Sequence, residues 1–131
     1  MMHIKIVTPK GVYIEKDVDE LHITTVEGQR TILPNHAPLF ASVVACPLIL
    51  RVKGKEEEYA VSGGILQVNT NDVTLLTDAI EGADEIDIER ARRAYERAKA
   101  RIEKRDVSTN MKRSELALAR ALNRIRIYEH R

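Results

Sequence analysis

The sequence predicts a mainly β fold with an α appendage: an N-terminal antiparallel β-sandwich over residues 1–84, then a C-terminal two-helix antiparallel hairpin over residues 85–131. Three observations predict it. Apolar and polar residues alternate in short runs through the first part, and from Ile88 onward apolar residues recur at steps of three and four. All six glycines and all four prolines lie before residue 83, so the residues that punctuate sheets vanish where the helices begin.

The strands come first. Ile4 and Ile6, Leu21 and Ile23, Leu48, Leu50 and Val52, Tyr59 and Val61, Leu66 and Val68, and Val73 and Leu75 each keep the two-residue period of a half-buried strand. Turn-forming clusters divide them at Pro9-Lys10-Gly11, Glu27-Gly28, Pro34-Asn35, Lys53-Gly54-Lys55 and Asn69-Thr70-Asn71-Asp72. That spacing fits two packed antiparallel sheets.

In the second part Ile88, Ala91, Tyr95, Ala98 and Ile102 form the seam of an amphipathic helix, and Leu118, Leu122 and Ile125 continue the pattern in a second one. Asp84 or Asp87 supplies the cap of the first helix, and Asp106-Val107-Ser108-Thr109-Asn110 the turn and the next cap. The second helix runs from about Asn110 to Tyr128, and so short a connection closes an antiparallel pair. Alanine fills two of the five seam positions in the first helix, so at ~25 cal/mol per Å2 the seam holds weakly. Strong helix formers occupy the remaining positions, so each helix, marginal alone, can persist on another surface after the hairpin opens. The pair suits a switch better than a scaffold.

Composition narrows the function classes. A chain of 131 residues holds one domain, or a small domain with an appendage. Its longest nearly apolar run, Leu39 to Leu50, is broken by Ser42 and Pro47 and falls short of the ~18 residues of a membrane span. The opening Met-Met-His-Ile-Lys-Ile alternates like a strand and lacks a secretory leader's apolar block, so a cytoplasmic protein is expected. The single cysteine, Cys46, is expected to fill core. Charge is split: residues 1–84 carry 7 basic and 12 acidic side chains, residues 85–131 carry 14 basic and 8 acidic ones.

No catalytic constellation emerges. Val61-Ser62-Gly63-Gly64 lacks the spacing and the Lys-Ser or Lys-Thr of a phosphate loop, and reads as turn or tight-packing glycines. The four histidines have no metal-ligand spacing, and Glu56-Glu57-Glu58 reads as a solvated run beside a turn. The arginines are more informative. At 100° per residue Arg90 and Arg97 project along nearly one line with Asp87 about 60° away, while Arg120 and Arg124 share a face of the second helix. A folded hairpin then presents four guanidinium groups, which suit phosphate because the planar fork donates paired hydrogen bonds. Against this stands solvation or pairing with neighbours, as for Asp87 and Arg90. A basic hairpin also fits a small nucleic-acid-binding protein, but the acidic first part and the five aromatics speak against a nucleic-acid partner.

Four segments then carry a family resemblance. They are Ile6-Val7-Thr8-Pro9-Lys10-Gly11, Thr31-Ile32-Leu33-Pro34-Asn35-His36-Ala37-Pro38-Leu39, Val61-Ser62-Gly63-Gly64 and Arg113-Ser114-Glu115-Leu116-Ala117-Leu118-Ala119-Arg120-Ala121-Leu122-Asn123-Arg124. In this order they resemble the epsilon subunits of bacterial F-type ATP synthases over essentially the full chain. Thr31 and Asn35 stand where the family usually has glycine, and asparagine tolerates the left-handed conformation better than most residues.

The resemblance implies a non-catalytic rotor subunit that bridges the gamma subunit and the c-ring at the cytoplasmic face of the membrane. It implies a hairpin that extends toward the catalytic alpha and beta subunits to impede ATP hydrolysis. Some members bind ATP on the folded hairpin through an Ile/Leu-Asp-x-x-Arg-Ala motif, which Ile86-Asp87-Ile88-Glu89-Arg90-Ala91 fits. The residues so implied are Glu81, Ile86, Asp87, Arg90, Ala91, Arg97, Arg120 and Arg124, with Glu81 and Asp87 toward adenine and the arginines toward phosphates and ribose. ATP is then a regulatory ligand, and no cofactor or metal is required.

Overall fold

A computed structural model describes residues 1–105 and 110–130. Ten strands precede two helices: β1 (Met2–Thr8), β2 (Gly11–Val18), β3 (Glu20–Thr25), β4 (Gly28–Ile32), β5 (His36–Val43), β6 (Cys46–Val52), β7 (Lys55–Val61), β8 (Gly64–Thr70), β9 (Asp72–Thr77) and β10 (Ile80–Gly82). A 3-10 turn over Ala83–Glu85 leads into α1 (Ile88–Lys104) and α2 (Met111–His130).

The strands form one folded sheet in the order β10-β7-β6-β3-β5-β8-β9-β1-β2, with β4 also on β3. Only the pair Thr25 and Val43 joins β3 to β5, so the sheet bends there into two leaves. Between them lie Met2, Ile4, Ile6, Leu21, Leu48, Leu50, Leu66 and Leu75, all fully buried, in one cluster. These include the inward members of the alternating runs, which is why a period of two was enough to find the core. Far from the bend the leaves meet again, through an ion pair of Lys16 with Glu57 and an edge-on contact of Tyr13 with Tyr59 at 6.1 Å.

The sheet is not wholly antiparallel. β1 lies between β2 and β9 and runs parallel to β9, from His3 opposite Asp72 to Val7 opposite Leu76. No short turn joins β1 to β9, so nothing local imposes the antiparallel direction. The glutamate run also departs from expectation. Glu56, Glu57 and Glu58 lie within β7 and are paired, with Arg51 (2.6 Å), Lys16 and His130 (3.4 Å) respectively. Lys16 holds the Glu57 carboxyl below the usual carboxylate range.

Two departures from the family pattern are accommodated. Thr31 sits in regular β4 opposite His22, its hydroxyl 3.0 Å from His22 Nδ1. Asn35 takes the left-handed conformation at φ 63°, and its side chain and amide exchange hydrogen bonds with Asn71. Gly63 and Gly64 answer the phosphate-loop question: a Cβ on Gly64 would collide with the Leu76 carbonyl, and one on Gly63 would lie 3.0 Å from the Val43 carbonyl. They are glycine for close packing of backbone. Cys46 is buried, with Sγ 3.7 Å from the Thr24 carbonyl oxygen, and burial pushes its thiol up.

The helices differ in their surroundings. Asp87 caps α1, its carboxylate accepting from the Arg90 amide at 3.1 Å, and Asn110 caps α2 by accepting from the Arg113 amide at 3.1 Å. The rest of the expected turn, residues 106–109, lies outside the described residues. α1 packs on α2 through Ala91 and Ala98, opposite buried Ser114 and Ala121. Leu118, Leu122 and Ile125, expected as the seam of α2, are only half-buried. The small residues let the two backbones approach, and the leucines fall to the flanks.

α2 has a second buried face, about 120–160° around the helix from Ala121, carrying Asn123 and Ile127. It rests on β6, β7 and the 3-10 turn. Ile127 packs with Ala60 and Ile86, flanked by Ala83 and Tyr128.

Candidate functional site

Where α1 begins, three parts of the chain converge. The end of the sandwich supplies Glu81 and Glu85, the first three turns of α1 supply Asp87, Arg90, Ala91, Ala94 and Arg97, and α2 supplies Arg124. They line a cleft of about 340 Å3, near the lower end of the ~300–1,000 Å3 range of ligand pockets. Arg90, Ala91, Ala94 and Arg97 fall on one side of α1 because steps of three and four return to one face. Alanine at two of these positions keeps the floor open.

Arg124 donates from Nε to Glu81 at 2.6 Å, tying α2 to β10. Both side chains are partly exposed, so the pair contributes only ~0–1 kcal/mol. Its value is geometric: it holds a guanidinium at the cleft edge.

Glu85 is anchored from two sides. Its carboxylate accepts from the Gly82 amide at 2.9 Å and from the Tyr13 hydroxyl. Burial and that bond to Glu85 push the Tyr13 hydroxyl up to about 12. Burial and Glu57 push Tyr59 upward in the same way. Both phenols therefore stay protonated donors across ordinary pH, and the segment entering the hairpin is pinned to β2.

Of the eight residues singled out in the sequence, six line the cleft: Glu81, Asp87, Arg90, Ala91, Arg97 and Arg124. Ile86 lies beneath it, buried in the Ile127 cluster. Arg120 instead lines a neighbouring crevice, too narrow to admit a water, with Ala60, Val61, Ser62, Asn123 and Arg124. Three arginines thus line the cleft itself and the fourth stands beside it. Sequence reasoning missed Glu85, Ala94 and Asn123. For Glu85 the readable signal was a glutamate three residues beyond Gly82, where its carboxylate accepts from the Gly82 amide as in one half of a capping box. Ala94 completes the same α1 face at three residues beyond Ala91.

The outer face of β5, β8 and β9 carries Phe40 (72% exposed), Ile65 and Leu76, with Val44 following β5. Among the described residues no helix is long and apolar enough to cross a membrane, and no His, Cys, Asp or Glu cluster is arranged to hold a metal ion.

Fold and cleft together define a two-part protein: a β body and a helical arm, with a guanidinium-lined cleft where they meet. Residues 1–83 match the family described as ATP synthase, Delta/Epsilon chain, beta-sandwich domain, and residues 84–129 match ATP synthase, Delta/Epsilon chain, long alpha-helix domain. The chain belongs to this delta/epsilon family of ATP synthase subunits. It is similar to the ATP synthase epsilon chain of Halalkalibacterium halodurans, 42% identical over 95% of this chain and 94% of that one. To the epsilon chain of Clostridium novyi it is 41% identical, over 93% of each. A chain in the Euglena gracilis mitochondrial ATP synthase structure, OSCP/F1/c-ring, superposes with a TM-score of 0.80 at 26% identity, over 90% of this chain and 75% of that one. A chain of the Tetrahymena thermophila mitochondrial ATP synthase central stalk shares the fold at a TM-score of 0.63 and 15% identity, over 98% of this chain and 94% of that one.

Proposed function

We propose that this ATP synthase subunit is a non-catalytic component of the rotor, held on the gamma subunit and the c-ring by its sandwich and regulating ATP hydrolysis through its hairpin. The exposed apolar strip of Phe40, Val44, Ile65 and Leu76 supports attachment, since contiguous apolar surface of this kind marks protein–protein contact. It lies on strands other than those beneath α2. In the extended state the basic hairpin faces the catalytic alpha and beta subunits at the membrane's cytoplasmic side, and ATP is the ligand of the folded state.

The observation that carries the regulatory reading is the composition of the cleft. Its cationic groups come from both helices and its carboxylates from the end of the sandwich and the start of α1, so the full set exists only while the hairpin is folded. A ligand that needs all three parts has differential affinity for the folded form, which is the requirement for a population shift. At free ATP of 100 times the dissociation constant the folded state gains ~2.7 kcal/mol. Asp87, spent on capping the amide of Arg90, holds the first turn of α1 in place, while Arg90, Arg97 and Arg124 offer paired donors to phosphate oxygens.

Calorimetric titration of the whole chain with ATP tests the reading. Arg97→Ala and Arg124→Ala are each expected to weaken ATP binding about tenfold or more, the loss of one charge-assisted hydrogen bond, with sandwich melting unchanged. Unchanged affinity in both variants removes the cleft as the ATP site. Co-purification with a tagged gamma subunit tests the attachment separately.

A further inference from the structure

Asparagine is a poor residue for a helix interior, because its amide competes for backbone groups. Yet Asn123 sits in the middle of α2 with 6% of its surface exposed. Its Nδ2 donates to the Cys46 carbonyl at 2.8 Å and to the Val61 carbonyl at 3.3 Å. These carbonyls belong to residues directly opposite one another in the β6–β7 ladder, at the first residue of β6 and the last of β7. One side-chain amide therefore spends both of its hydrogens on the closing rung of a β ladder.

We propose that Asn123 is the positioning residue of the folded hairpin, its two hydrogen bonds to Cys46 and Val61 setting the single rotation and register of α2 that bring Arg124 to the cleft and Arg120 beside it. The geometry of the helix supports this. Leu116, Ala119, Asn123, Ile127 and His130 lie on one arc at 100° per residue. Of these, Asn123 bonds the sheet, Ile127 is buried on it, and His130 reaches Glu58 at 3.4 Å, while Leu116 and Ala119 are exposed. A slide of α2 by one turn, ~5.4 Å, would put Ala119 or Ile127 over the two carbonyls, and neither side chain donates. Apolar contact alone tolerates such slides, whereas a buried amide with two fixed acceptors does not; single buried asparagines fix register in coiled coils in the same way. Arg124 follows Asn123 at 100° and Arg120 lies 60° to the same side, so turning the helix about this point swings both guanidiniums together.

Amide hydrogen exchange on the whole chain without nucleotide tests the proposal independently of ATP binding. Asn123→Leu keeps the side-chain volume and removes the donors. It is expected to speed exchange in α2 about tenfold or more while β1 and β9 keep their protection, because the two hydrogen bonds that anchor α2 to the β6–β7 rung are lost. Asn123→Asp, which turns carboxylate oxygens toward the same carbonyls, is expected to exceed it, and Asn123→Gln to recover part of the loss. A purely space-filling asparagine leaves the leucine variant neutral or stabilising, and that result overturns the proposal. Scalar coupling across the hydrogen bonds from Asn123 Nδ2 to the Cys46 and Val61 carbonyl carbons gives a second measurement on the unaltered chain. Detecting both supports the pin, and finding neither overturns it even where the variants fail to fold.

Discussion

The two packing interfaces of this molecule are built from opposite materials. Inside the sandwich, leucine, isoleucine and methionine side chains are removed from solvent completely, on strands held by hydrogen bonds on both edges. Between the helices the fully buried residues are Ala91, Ala98, Ser114 and Ala121, which bury little apolar area each. The first interface resists any rearrangement. The second lets two stable helices lie close while holding them only loosely, and α2 adds a few directed contacts to the sandwich through Asn123, Arg124 and Ile127. Body and hairpin are distinguished by side-chain size before any ligand is considered.

The largest effect that would test this contrast is in the body. Leu66→Ala, at a fully buried position, is expected to lower stability by about 2–5 kcal/mol in equilibrium urea unfolding. In the arm, Ala98→Leu inserts volume where the helix backbones meet and is expected to cost about 1–3 kcal/mol there. Amide exchange should then rise in α1 with the strands unaffected; a loss spread equally over the strands would erase the distinction between body and arm.

The smallest effect lies on the outer face of the β1–β2 pair. His3 sits 2.9 Å from Glu15 and 3.1 Å from Asp17, and its hydrogen bonds to them raise its pKa above 6.5. A raised folded-state value makes this contribution fully present below about pH 6.5 and lost as pH rises through the folded value. Urea midpoints of His3→Gln should lack that decline between pH 6 and 9, by a small margin because the site is exposed.

Much of this was legible in the sequence. Ile4, Ile6, Leu21, Ile23, Leu48, Leu50, Val61, Leu66, Val68, Val73 and Leu75 all proved buried, since a two-sided strand advertises its inward face by alternation. The cleft arginines on α1 were legible through helical spacing and the Ile86-Asp87-x-x-Arg90-Ala91 pattern. The parallel pairing of β1 with β9 was not, because it joins segments some seventy residues apart and leaves no local trace. The second face of α2 was hidden for another reason: an asparagine there reads as a poor helix former, and its value depends on two carbonyls that have no side-chain identity at all.

The place of β1 has a consequence for synthesis. Its inner neighbour β9 begins at Asp72, so the first strand made must wait for nearly the whole body before its ladder is complete. At ~5–20 residues per second on the ribosome, that leaves the edge of the nascent β1–β2 ribbon bare for several seconds. The helices emerge later still, after β6 and β7 are in place, so the arm reaches a berth that already exists.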